Sequence, residues 1–426
     1  MMTSHGLKRQ LGLSSAILLG LGSILGTGVF VSIGLSVGVA GNWALGALGI
    51  ATFLAMMNAL SSAQLAANHP VSGGTYAYGY RYLRPEIGFV AGLAFLLAKS
   101  ASAAAAAIGL VSYLAVLTGW EAMALNWIAA GVVVLMTGLV AGGLRRANLV
   151  NTLLVTITLG ALVALIVTAV MAVGAADVPN QLEGDWGAAK PASLIEAAAL
   201  LFVAFTGYGR IATLGEEVKT PRRTIPGAII TTLLVTGMLY FGVLASGLAV
   251  LGEAGLTEQM QTSPAPLQAI AGAIDAPALK LFLSVAAITA MVGVLLNLLL
   301  GLSRVAFAMG RQGDAPSAFG RVSARNEPLV ATVFVGLFIA VIALFGGLFM
   351  VWSFSAFTVL IYYAITNLAA LQLSAKERLY SPIVPVLGLV GCVGLAVGVT
   401  GTAIFYGGFA LGFGLAVRWI LKRQVS

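Results

Sequence analysis

The hydrophobic positions of this chain fall in long continuous runs, with no alternation and no single apolar helical stripe. A membrane-spanning helix needs about 20 consecutive apolar residues. Such stretches cover residues 12–36, 42–66, 87–117, 124–143, 149–174, 193–214, 226–250, 278–309, 329–348, 351–373, 382–400 and 402–420. The two-residue period of a membrane barrel is absent, so the spans are predicted to be helices. The pattern predicts an all-α polytopic membrane protein with about twelve crossings. The last two stretches abut, and reading them as one gives eleven. The first run begins after a short polar start and no cleavage signal follows it, so it is read as a retained helix. The longest connections on one side, 175–192 and 251–277, are too short for a folded domain.

Composition agrees. Of the 426 residues, 60% are hydrophobic and 8% charged, against about 25% charged in soluble proteins. That excludes a soluble enzyme, a disordered chain and a nucleic-acid binder. The net charge of +8 is a topology signal. With the N-terminus in the cytoplasm, all but four of the 22 Lys and Arg fall in cytoplasmic segments; the exceptions are Lys190 and Lys280 outside, and Lys99 and Arg210 within spans. The excess of positive charge on one side predicts both termini in the cytoplasm, an even count of twelve, and a place in the plasma or inner cell membrane. One cysteine (Cys392) and two histidines (His5 and His69) build neither a disulfide framework nor a zinc centre. No metal or cofactor is expected. Gly34–Gly38 matches a serine-hydrolase elbow and Gly207–Ala212 a dinucleotide fingerprint, but neither has its strand-to-helix context. Both follow from a total of 53 glycines.

The first span carries Gly22, Gly26 and Gly28 around Thr27. Glycine costs about 1 kcal/mol relative to alanine inside a helix. Small residues four apart can serve close helix packing; alternatively the helix breaks at mid-membrane, which is tolerated where backbone lines a cavity. The sixth span repeats the feature in Phe202-Val203-Ala204-Phe205-Thr206-Gly207-Tyr208-Gly209. Glycine-interrupted spans at corresponding places in two halves point to a transporter site. Spans one to five (1–174) and six to ten (175–375) would form two halves. Five is odd, so the second half is inverted; spans eleven and twelve (376–426) would be additions.

Four ordered motifs sharpen this. They are Gly26-Thr27-Gly28-Val29-Phe30; Pro70 to Tyr78; Phe205-Thr206-Gly207-Tyr208 followed by Glu216 to Pro226; and Ser303-Arg304 through Gly313-Asp314-Ala315-Pro316. Together they resemble the amino acid–polyamine–organocation (APC) transporter superfamily. The resemblance implies the leucine-transporter-like five-plus-five fold with discontinuous helices 1 and 6, and secondary active transport of a small-molecule amino acid by alternating access. The same fold also carries polyamines, cationic amino acids and uncoupled exchange. A channel or a substrate sensor is the rival of a different class.

Burying a zwitterion requires both its charges to be matched. The N-terminus of a half-helix receives a carboxylate and the carbonyl end of another an ammonium. Gly26, Thr27 and Gly28 are therefore expected to bind the carboxylate. Ile24, Val203, Ala204 and Phe205 are expected to take the amino group, with Gly207 in the same site. Phe202, Phe205 and Tyr208 are candidates for an aromatic gate, with Ser355, Phe357 and Thr358 of span ten as possible partners; ordinary packing is the alternative for each aromatic. Arg210, Glu216 and Glu217 are candidates for an inner gate, although a solvated loop fits too. Lys99 is an intramembrane charge among small residues and should face the protein interior. It is read as a proton carrier, as a fixed cation replacing sodium, or as a simple structural partner. Several proton-coupled relatives have a lysine in span five where this chain has Thr158, and many carry an acidic residue where it has Gly209. Thr158 and Thr289 complete the candidates for proton or sodium coupling, against the alternative that such threonines bond their own backbone. No acidic residue lies in the binding spans near mid-membrane, which favours a neutral amino acid.

Overall fold

The computed structural model describes residues 12–69, 73–120, 125–143, 148–176, 178–183, 186–212, 218, 220–262, 265–323 and 327–423. Its elements are helical throughout: α1 (Leu13–Ile24), a π-turn (Gly28–Ser32), α2 (Ile33–Ala40), α3 (Ala44–Asn68), α4 (Gly74–Tyr82), α5 (Pro85–Thr118), α6 (Leu125–Ala141), α7 (Asn148–Gly174), α8 (Pro191–Phe205), a 3₁₀ turn (Thr206–Tyr208), α9 (Gly209–Ala212), α10 (Pro221–Thr262), α11 (Pro266–Ala273), α12 (Pro277–Arg311), α13 (Leu329–Phe345), α14 (Leu348–Leu371), α15 (Ile383–Val397) and α16 (Gly401–Arg423). Each apolar stretch of the sequence coincides with one of these helices, or with a pair where the chain is interrupted. Among the described residues, eight helical stretches are long and apolar enough to cross a membrane, and α6, α13 and α15 are shorter apolar helices.

Local sequence sets the ends. Pro85 and Pro277 open α5 and α12, where a missing N–H costs nothing. Gly119 closes α5 in the left-handed region at φ 71°. Gly252, at φ 67°, bends α10. Two helices, α5 and α3, are centres of packing, and α14 touches both. The long α5 lies against α12, α13 and α14, while α3 lies against α8, α10 and α15. The run Ala103–Ala107 on α5 is fully buried, since side chains of one methyl let neighbouring helices approach closely. Outward residues such as Leu135, Met171, Met238, Phe345 and Phe405 are large, apolar and exposed, as suits a surface covered by lipid.

One polar cluster ties the periphery together. The carboxylate of Asp314, just after α12, has no exposed surface and accepts Arg418 Nε at 2.8 Å. Its other oxygen accepts the Tyr76 hydroxyl at 2.8 Å and the Tyr80 hydroxyl. Lys422 lies 3.5 Å away, and Arg418 also reaches Glu86 at 3.6 Å. The cluster joins α4, the α12 end, the α5 start and α16. Burial alone would raise the Asp314 pKa, but hydrogen bonds from Tyr80, Arg418 and Tyr76 outweigh it and hold the carboxyl below the usual range. A carboxylate with a lowered folded-state pKa stabilises fully above its unfolded pKa, and that contribution is lost as pH falls through the folded value. Removing one partner of a buried pair costs about 3–5 kcal/mol. Asp314→Ala should therefore lower stability by about that much and flatten the loss of stability below about pH 4; thermal unfolding of the purified protein across pH checks both.

Candidate functional site

Two helix interruptions face each other in the centre of the protein. At Leu25 the backbone turns to φ −74°, ψ 93°, and α1 stops. The chain re-enters helical geometry at Thr27 and passes through the π-turn into α2. Opposite, α8 tightens into the 3₁₀ turn at Thr206 before α9 begins. Helix ends leave carbonyls or N–H groups without intrahelical partners, and in an apolar medium each such group costs several kcal/mol unless it is matched.

The two interruptions touch backbone to backbone. A methyl group at Gly207 would lie 2.5 Å from the Ser23 carbonyl carbon, and one at Gly28 would lie 2.9 Å from Ala204 Cα. Only glycine permits this approach at either position. Around the contact, side chains from three other helices supply polar atoms. The Tyr240 hydroxyl of α10 lies 3.1 Å from the Ile24 carbonyl and 3.3 Å from the Ala204 carbonyl, so one donor serves both helix ends. The Thr206 hydroxyl donates to the Val203 carbonyl at 2.7 Å, and the Thr206 N–H bonds the same oxygen. Lys99 Nζ of α5 donates to Thr206 Oγ1 at 2.6 Å. Tyr363 of α14 donates to the Thr206 carbonyl at 3.3 Å, and Trp352 to the Leu200 carbonyl at 2.9 Å. The Thr27 hydroxyl is buried and has no hydrogen-bond partner among the described residues.

Ile24, Gly26, Thr27, Gly28, Val203, Ala204, Phe205 and Gly207 are thus brought together, all lying at or beside the two interruptions. Gly26 faces Val294 of α12 at 2.5 Å from an added methyl. The gate candidates Phe202, Phe205 and Tyr208 are fully buried. Phe202 and Tyr208 pack on the Tyr363 ring, with centroids 5.7 and 5.3 Å away, and Phe205 packs on Tyr240 at 5.1 Å. Of the span-ten candidates, Ser355 bonds Ser102 at 2.8 Å and the Ala98 carbonyl at 2.9 Å, which puts it beside Lys99. Thr358 bonds its own helix, and Phe357 packs on Gly407 of α16. Lys99 is buried. The hydroxyls of Thr158 and Thr289 donate to the Leu154 and Val285 carbonyls of their own helices, at 2.9 and 2.7 Å. Arg210 is exposed on α9, and Glu216 and Glu217 lie outside the described residues.

Sequence reasoning did not single out Tyr240 or Tyr363. A signal existed for both: tyrosines of membrane helices collect at the water interface, and a tyrosine deep in an apolar run must find a partner for its hydroxyl.

An all-helical, many-spanned membrane chain with two interrupted helices meeting at its centre suits a transporter, and its family and relatives are transporters, not enzymes. The model of the family described as "Amino acid permease" matches residues 15–412. An uncharacterised transporter of Mycobacterium tuberculosis is 38% identical over 427 residues, covering 98% of this chain and 93% of the relative. The branched-chain amino acid permease BcaP of Bacillus subtilis is 28% identical over 455 residues, covering 99% and 94%. The methylthioribose transporter of the same organism is 28% identical over 421 residues, covering 91% and 87%. The chain belongs to the amino acid permease family, within the APC superfamily.

Tyr240→Phe keeps the ring against Phe205 and removes the shared donor. An unsatisfied buried polar group costs about 1–3 kcal/mol, so this variant should unfold at lower temperature by that equivalent in fluorescence-detected melting. An unchanged melting curve would show that the hydroxyl does not bridge the two helix ends.

Proposed function

We propose that this protein is a secondary active transporter that moves a neutral amino acid across the cell membrane by alternating access. The observation that carries the reading is the pairing of two interrupted helices, backbone against backbone, in a buried place. One interruption offers a half-helix N-terminus at Gly26, Thr27 and Gly28, whose N–H groups and dipole suit a carboxylate. Both offer C-terminal carbonyls, at Ile24 and at Val203, Ala204 and Phe205, which suit an ammonium. Tyr240 lies between Ile24 and Ala204, where an ammonium would sit, and the unpartnered Thr27 hydroxyl adds a polar contact. Phe202, Phe205 and Tyr208 cover the site as its aromatic lid, and Gly207 keeps the two strands of backbone in contact. Arg210, with Glu216 and Glu217, is assigned to the inner gate.

The architecture we assign is twelve crossings, with 1–174 and 175–375 as inverted halves and 376–426 appended, and both termini in the cytoplasm. A neutral substrate is favoured by the charges in the chain. None of the fourteen acidic residues lies between Glu196 and Glu216, or between Glu86 and Glu121, so a second positive charge on the substrate would meet Lys99 and no carboxylate. The similarity to a branched-chain amino acid permease points the same way.

Counterflow in proteoliposomes tests the reading. Vesicles loaded with one amino acid should accumulate the same labelled amino acid from outside, and uptake should saturate, which a channel would not show. Gly28→Leu, whose side chain would press on Ala204 Cα and Tyr240, should reduce uptake at least about tenfold, equivalent to about 1.4 kcal/mol. Gly38→Ala, at a position with nothing within 4 Å, should leave it unchanged. Equal uptake by both variants would refute the site.

A further inference from the structure

Lys99 is the buried charge that the binding geometry leaves unexplained. It sits on α5, and its ammonium carries three N–H donors. Thr206 Oγ1 takes one of them at 2.6 Å. A buried lysine is ordinarily paired with an acid, yet among the described residues no carboxylate pairs with it. The helices that pack on α5 give the reason. The α4, α6, α12, α13, α14 and α16 segments contain no Asp or Glu, and Glu86 on α5 itself lies thirteen residues from Lys99. The titratable groups on those neighbours are tyrosines and bases. Tyr362 and Tyr363 of α14 lie beside the site. Tyr76, Tyr78, Tyr80, Arg81 and Tyr82 belong to α4, and Lys280, Arg304 and Arg311 to the ends of α12. Tyr406, Arg418, Lys422 and Arg423 belong to α16, where Arg418 and Lys422 are engaged by Asp314. Tyr208, on the interrupted segment, completes the set.

The direction of the hydrogen bonds matters more than their number. A charged lysine can only donate. When it donates to Thr206 Oγ1, the hydroxyl must send its own proton elsewhere, and it sends it to the Val203 carbonyl at 2.7 Å. That oxygen also accepts the Thr206 N–H, so both its lone pairs are taken. A neutral lysine has a lone pair. The Thr206 proton can then turn to Lys99 Nζ, and one lone pair of the Val203 carbonyl comes free.

We propose that Lys99 and Thr206 are a proton-operated switch on the Val203 carbonyl, so that a proton on Lys99 and the ammonium of the substrate occupy the site in alternation. This rests on the assignment of Val203 to the ammonium given above. With Lys99 charged, the carbonyl is occupied and a second positive charge is repelled. With Lys99 neutral, the carbonyl accepts the ammonium. The proton leaves from Lys99 Nζ to water on the side to which the site is open, and it returns after the substrate has gone. Nothing is oxidised or reduced. A carrier of this kind exchanges a proton for an amino acid, and an inward proton gradient drives the amino acid outward. Thr158 and Thr289, turned to their own backbones, take no part. Lys99 and Thr206 are positioning residues here, because neither touches the substrate.

The test is calorimetric binding to the full-length protein, with the one of the twenty common L-amino acids that gives the largest thermal stabilisation. Titrations are run across pH and in two buffers of different ionisation heat. Affinity should rise with pH, up to about tenfold per unit, and then level off, with one proton released per amino acid bound on the rising limb. In Lys99→Met the affinity should be flat with pH and no proton should be released. Thr206→Val removes the hydroxyl that transmits the switch and should lose most of the slope. It decides the matter if Lys99→Met does not fold. An affinity that falls with pH, or a slope that survives in either variant, overturns the switch. If binding is abolished in Gly28→Leu while the slope persists in Lys99→Met, the switch fails and the site stands. If none of the twenty stabilises the wild-type protein, the site reading fails and the switch with it.

Discussion

A peptide group inside an apolar slab has no water to fall back on, and every interruption of a helix there exposes several such groups at once. The two interruptions in this chain meet that constraint by facing each other. Carbonyls at the ends of α1 and α8 share the hydroxyl of Tyr240, and the turn at Thr206 is held by Lys99, Tyr363 and its own hydroxyl. The partners come from α5, α10 and α14, so the interrupted segments are specified by the helices around them. A small zwitterion fits the same logic. It brings one group that accepts and one that donates, and both kinds of partner stand ready at a pair of broken helices without an ionised acid.

The contact between the interruptions is itself tight. It is made by glycine backbone at Gly28 and Gly207, where a side chain would meet the opposite backbone at Ala204 and Ser23. The helices carrying the interruptions lie largely against α3, α7 and α10, with α8 also against α14, whereas Lys99 sits on α5. The lysine joins α5 to the turn at Thr206 through one hydroxyl, beside the bonds that Tyr363 and Trp352 of α14 make to the same interrupted helix. By contrast, the Asp314 cluster fixes α4, α5 and α16 with several charged contacts, which makes that part of the molecule a frame.

The spans were legible because hydrophobic length alone decides them. Each predicted stretch meets a helix, and the glycines located the interruptions to within a residue or two: the first break falls at Leu25–Gly26, just before Thr27, and the second at Thr206–Tyr208. The small residues around Lys99 pointed to a lysine turned inward, and it is buried. What could not be read was the partner of each polar side chain. Lys99 and Thr206 are 107 residues apart, and Asp314 and Arg418 are 104 apart. No local pattern encodes such a meeting, since it depends on how the helices cross. Tyr240 carried a signal, a hydroxyl deep in an apolar run, but its partners Ile24 and Ala204 lie 216 and 36 residues away.

The central claim is that the backbone at the two interruptions holds the substrate, and amide hydrogen exchange reads that backbone directly. Amides in the segments around 25–28 and 206–208 should become more protected when the bound amino acid is added to the protein in lipid nanodiscs, while those of α13 and α16 should not change. Protection that leaves both interruptions untouched and falls on other helices would contradict the account.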